Sequence, residues 1–96
     1  MNIDFTKTGT TLNINLDGRL DTMSAPELED FVKANLQDVT AVEIDCTNLT
    51  YVSSAGLRVL LAIKKKFLLP LTLTNVQELV MEIFAITGFV DILTIK

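Results

Sequence analysis

The stretch "YVSSAGLRVLL", residues 51–61, changes its period in the middle. Tyr51 and Val52 close a strand-like run, and beyond them Leu57, Leu60 and Leu61 recur at helical spacing. Ser53 and Ser54 stand at the changeover, where a side-chain oxygen can satisfy a first-turn N–H. Either serine fits that capping role. A helix start also receives an anion without a dedicated pocket, because its free N–H groups and dipole point at the ligand. Gly56, lacking a side chain, would leave those groups approachable. The segment is a strand feeding a helix through a turn that suits a cap and also suits a phosphate.

Upstream, "VTAVEIDCT" (39–47) is the strand that leads to this turn. Val42, Ile44 and Cys46 fall on one face and Val39 and Ala41 on the other, which predicts a central position in a sheet. Downstream, the helix runs from about Ser54 to Lys66. Val59, Ala62 and Ile63 widen its apolar surface, so it is either buried on two sides or offers that surface to a partner. Lys64, Lys65 and Lys66 close it, where cations favour the helix dipole.

Further out, "TLNINLD" (11–17) alternates strictly and reads as a half-buried strand, joined through Gly9 to "NIDFTK" (2–7) in a tight hairpin. In "TMSAPELEDFVKANL" (22–36), Ser24 and Glu27 have capping-box spacing and Pro26 lies in the first turn. Leu28, Phe31, Val32 and Leu36 form its apolar stripe. "LPLTLTN" (69–75) supplies a fourth strand. "NVQELVMEIFAITG" (75–88) reads as a helix capped by Asn75, with Val76, Leu79, Val80, Ile83 and Phe84 at helical spacing and Gly88 as terminator. "VDILTIK" (90–96) adds a short closing strand. The order predicts an α/β fold in one domain over 1–96. Its mixed four- to five-stranded sheet pairs in parallel after one hairpin, with helices mainly on one face.

Composition narrows the function. The 96 residues carry a net charge of −4, which argues against nucleic acid or an anionic membrane as the main partner. There is no histidine and one cysteine, Cys46, so Ser-His-Asp and Cys-His catalysis, His-ligated metal and internal disulfides are excluded within the chain. Cys46 is expected as a buried thiol. No stretch approaches the ~20 apolar residues that cross a bilayer, and no leader pattern opens the chain, so a cytoplasmic protein is expected.

"NLTYVSSAGLRVLLAIKKK" (48–66) resembles the signature of the STAS family, a hydrophobic strand, a D/S-S-x-G-L turn and a helix. "LDGRLDTMSAPELE" (16–29) resembles the family's second landmark, a G-x-L-D-T loop leading into the first helix. The resemblance covers essentially the whole chain and is closest to free-standing bacterial anti-sigma factor antagonists. It implies a binding protein that is not an enzyme. Unphosphorylated, it would hold an anti-sigma factor that is also a serine kinase; phosphorylated, it would release it; a metal-dependent serine phosphatase would reset it. ATP and Mg²⁺ belong to the kinase, and no cofactor is implied for this chain.

By the motif, the phosphoacceptor is Ser54, two residues before Gly56, with Ser53 as rival. Ser53 stands where relatives often carry Asp, and Ala55 where they carry Ser or Thr; "KKKFLLPLTLTN" lacks the usual glycine turn. Asp21 is the expected switch neighbour, or else an ordinary turn residue bound to its own backbone. Thr22, Met23, Ser53, Gly56, Leu57 and Arg58 complete the expected partner surface. The competing readings are a static docking subunit of a lipid ABC-transporter complex and a small enzyme using Ser54 as nucleophile.

Overall fold

The computed structural model describes residues 1–96. Strands β1 (Asn2–Thr8) and β2 (Thr11–Leu20) form the hairpin, with Gly9 at φ 61° in its two-residue turn. Helix α1 (Ala25–Ala34), strand β3 (Ala41–Val52), helix α2 (Ser54–Lys65), strand β4 (Leu71–Thr74) and helix α3 (Glu78–Thr87) follow, then a 3₁₀ turn (Phe89–Asp91) and strand β5 (Thr94–Ile95). The sheet has five strands in the order β1-β2-β3-β4-β5, and every pair is parallel except β1 with β2. This is the predicted α/β architecture, with β3 in the centre.

One face of the sheet is covered and the other is open. Leu12, Ile14 and Leu16 of β2, Val42, Ile44 and Cys46 of β3, and Leu71 and Leu73 of β4 are buried together with Leu28 and Val32 of α1, Leu60 and Ile63 of α2, and Val80 and Phe84 of α3. The alternate set, including Asn13, Asn15, Glu43, Asp45, Thr72 and Thr74, keeps solvent contact. β3 is therefore central although its second face is polar, so the two-faced apolar pattern expected from Val39 and Ala41 does not hold. The width of the apolar surface of α2 resolves toward burial: the helix packs on α1 and β3, and Gly56, Leu57, Val59, Leu60 and Ile63 are all buried.

β3 is longer than alternation suggested, because two bulges interrupt it. Between Asn15↔Asp45 and Asp17↔Asn48, and again between Gly18↔Leu49 and Arg19↔Tyr51, β3 has one residue more than β2. The buried positions accordingly step from Cys46 to Leu49 to Val52 instead of every second residue. The Thr50 hydroxyl donates to the Gly18 carbonyl at 3.0 Å beside the second bulge. Bulges re-aim a strand end, and here they carry β3 two residues further than β2 to deliver Ser53 and Ser54.

Three local expectations are corrected. Ser24 and Glu27 make no capping box: Ser24 makes no side-chain cap bond to α1. Asn75 does not cap α3 either; it sits at φ 55°, its amide donates to Asp45 at 3.2 Å, and the helix begins after Gln77. Leu79 faces outward, 54% exposed, while Val80 and Phe84 are the buried pair. Gly88, at φ 81°, does terminate α3 as predicted.

Candidate functional site

The turn between β3 and α2 divides its two hydroxyls by position. Ser53 is extended (φ −88°, ψ 176°), and its Oγ accepts from the Gly56 N–H at 3.3 Å. It is the cap. Ser54 is the first helical residue and is exposed, with its hydroxyl unused in capping. No acidic side chain occupies the first turn of α2, so its positive end carries no counter-charge from this helix. Arg58, exposed, lies four residues on and therefore on the same side of the helix as Ser54.

The end of β2 holds this turn directly. The Ser53 N–H donates to the Leu20 carbonyl at 2.9 Å. A Cβ placed on Gly56 would stand 2.6 Å from that same carbonyl oxygen, 2.9 Å from Leu20 Cγ and 3.0 Å from Val52 Cγ1. Gly56 is thus a close-approach glycine, buried between helix and strand. The expectation that its bareness keeps backbone N–H groups open is corrected: its own N–H is already engaged by Ser53. Leu57, 5% exposed, is core and leaves the expected partner surface with it.

Asp21 follows Leu20, so the bond from Ser53 sets the 19–23 loop beside the serine turn. Its Oδ1 accepts from the Met23 N–H at 3.0 Å and the Ser24 N–H at 3.2 Å, and Oδ2 lies 3.8 Å from Arg19 Nε. The Ser24 backbone N–H, then Met23 and the Ser24 hydroxyl, with a smaller contribution from Arg19, hold its carboxyl below the ordinary 3.8 against some desolvation. The turn-residue reading of Asp21 is therefore realised, and the carboxylate, fixed in place, still contributes its charge to this end of the molecule. Ser24, buried, does what sequence reasoning missed. Its Oγ donates to the Arg19 carbonyl at 2.6 Å and accepts from the Asp21 N–H at 2.9 Å, closing the loop on itself.

On this loop Thr22 is exposed and Met23 is 83% exposed, an uncovered thioether. Arg19 was not anticipated either: its guanidinium lies 4.4 Å over the Tyr51 ring. The strand register pairs the two residues across the second bulge, and no local sequence signal links positions 19 and 51. Chemically, the assembly offers one free hydroxyl, an Arg–Tyr cation–π pair, a fixed carboxylate and an apolar thioether. A groove of about 390 Å³ lies elsewhere, on the open sheet face between Asn13, Asn15, Glu43, Asp45, Thr74 and Asn75, and shares no residue with the serine turn.

Cys46 is buried, and burial, with Asp45 adjacent, pushes its thiol up to about 12. No helix is long and apolar enough to cross a membrane.

Comparison with known proteins gives one family and one fold. The family described as "Mlab, STAS domain" matches residues 3–94. The fold is that of an anti-sigma factor antagonist from Mycobacterium paratuberculosis, at 20% identity and TM-score 0.84, covering 98% of this chain and 83% of the other. It is also that of the anti-sigma factor antagonist SpoIIAA in its unphosphorylated form, at 16% identity and TM-score 0.73, covering 99% and 87%. The phosphorylated form of SpoIIAA from Bacillus, described as a cell fate determinant, matches at 17% identity and TM-score 0.72, covering 99% and 91%. No curated protein matches the chain in sequence.

Proposed function

The chain belongs to the STAS domain family, and from that premise we propose that it is an anti-sigma factor antagonist whose docking surface is switched by phosphorylation of Ser54. With a bare hydroxyl, the surface formed by Ser54, Arg58, Asp21, Thr22 and Met23 binds an anti-sigma factor serine kinase. That kinase, with its own ATP and Mg²⁺, modifies Ser54 and is released, and a metal-dependent serine phosphatase restores the hydroxyl. The chain performs no chemistry itself.

The observation that carries this reading is the division of labour between the serines. Ser53 is committed to the cap, whereas Ser54 is exposed and spare. A phosphate there adds about −1.5 to −2 charges at neutral pH. It meets the positive end of α2, whose first turn carries no acidic side chain, so the fold tolerates it. A partner's apolar or acidic contact surface does not: desolvating the new charge beside Asp21 opposes docking, and ~1.4 kcal/mol is already tenfold in affinity.

The test is intact-mass measurement after incubation with each anti-sigma factor serine kinase of the same organism, with ATP and Mg²⁺. One phosphate gained by wild type and Ser53→Ala but not by Ser54→Ala is the expected result. Absence of any uptake would abandon the switch and leave the static docking subunit of a lipid transporter complex. In a companion pull-down, Ser54→Asp captures less kinase than wild type while melting at the same temperature.

A further inference from the structure

The edge of the sheet carries a second surface, independent of the serine turn. β1 is an outer strand of seven residues, Asn2–Thr8, paired with β2 without a register shift along its length. Natural edge strands are usually shortened, bulged, interrupted by proline or guarded by outward charge. β1 is regular and has no proline. Its one lysine, Lys7, is drawn back over the molecule, where its Nζ donates to the Gln37 carbonyl at 3.3 Å. At its centre Phe5 is 47% exposed, packed edge-on against Phe31 with ring centroids 5.0 Å apart.

We infer that β1 pairs with β1 of a second copy of this chain, antiparallel and in two-fold register centred on Phe5. The backbone sets the parity. The two-residue turn at Gly9–Thr10 makes Thr8 and Thr11 the closing hydrogen-bonded pair. Residues then alternate, so Thr6 and Asp4 bond inward to β2, while the N–H and C=O groups of Lys7, Phe5 and Ile3 point out of the sheet. A two-fold axis at Phe5 sets these three residues opposite Ile3, Phe5 and Lys7 of the second copy, which is the pairing that satisfies all of them.

The side chains agree with that register. Ile3 and Phe5 lie opposite Leu16 and Ile14 in β2, so they are on the helix-covered side of the sheet. There the two Phe5 rings meet, each backed by its own Phe31, and Ile3 lies beside the aliphatic stem of Lys7. On the open side Asp4 faces Thr6, so no like charges stand directly opposite. The two Asp4 carboxylates are diagonal neighbours and each copy carries −4 overall; association therefore tightens as salt rises. Asn2 lies opposite Asp17, towards the end of β2 that holds the serine turn. Antiparallel pairing consequently points the two Ser54 turns in opposite directions and leaves both open, making a bivalent molecule.

The experiment is sedimentation velocity of the full chain over a concentration series into the high micromolar range, with amide hydrogen exchange at both extremes. Wild type is expected to pass from monomer to dimer, with exchange slowing at Ile3, Phe5 and Lys7 and not at Asp4 or Thr6. Phe5→Glu raises the dissociation constant by at least about tenfold. Lys7→Pro, which deletes an outward N–H and leaves the β1–β2 ladder intact, does the same with an unchanged circular dichroism spectrum, and it decides the matter if the Phe5 variant folds poorly. Ile86→Asp, on the 86% exposed outer side of α3, leaves association unaltered. A wild type that stays monomeric throughout, or a dimer lost in Ile86→Asp and kept in Phe5→Glu, overturns the proposal.

Discussion

Three neighbouring residues, Ser53, Ser54 and Gly56, carry different physical duties within one turn of chain. Ser53→Ala removes the oxygen that accepts from Gly56 and should lower stability by ~1 kcal/mol, as the loss of a helix cap does. Ser54→Ala removes an exposed hydroxyl and should stay within about 0.5 kcal/mol of wild type. Chemical denaturation of the two variants checks both. Gly56→Ala forces a methyl group to within 2.6 Å of the Leu20 carbonyl oxygen. The helix start must move off β2, at about 3 kcal/mol in the manner of an overpacked core, and a fall in melting temperature reads this out. The motif shows in the sequence, but not which serine caps, because both stand at a plausible position and only the extended backbone of Ser53 distinguishes them.

At the scale of the element, the start of α1 is a small hydrogen-bonded loop instead of a capping box. Ser24→Ala leaves the Asp21 N–H and the Arg19 carbonyl without their buried partner, a loss of ~1–3 kcal/mol. Equilibrium unfolding measures it, and the Met23 side of the proposed docking surface should lose its order with it. Asp21 ties the same loop from outside. Its carboxyl is held below 3.8 chiefly by the Ser24 N–H, so its contribution is present above the unfolded value and lost as pH falls through the folded one. The expected result is an Asp21 midpoint below 3.8 by NMR titration, with the Met23 and Ser24 amide signals moving at the same pH. The spacing of Ser24, Pro26 and Glu27 announced a helix start correctly. It misassigned the bonds, since Ser24 is pulled toward Arg19 by the path of β2, which no local pattern encodes.

The whole molecule is a two-layer sandwich with one solvated sheet face, and its single thiol belongs to the covered side. Cys46, pushed up to about 12, stays protonated in the fold while the unfolded chain ionises near its ordinary 9.0. That stability is complete below about 9 and is lost as pH rises from there toward the folded value. Thiol reagents should accordingly label Cys46 only at the rate of unfolding, and labelling under native conditions as fast as in denaturant would contradict the burial. At this scale too, the open face leaves Asp4, Glu43 and Asp45 in contact with water.

Hydrophobic period and turn chemistry determined the element order, the hairpin and the candidacy of the serine turn. These depend on near neighbours in the chain, whose preferences survive in any context. Tertiary structure alone decided the bulges that carry β3 beyond β2, the stack of Arg19 on Tyr51, the burial of Leu57 and Gly56, the exposure of Leu79, and the choice of Ser54 as the spare hydroxyl. Each of these arises where two segments distant in sequence compete for the same space or the same hydrogen bond, and the winner is set by packing that neither segment contains by itself.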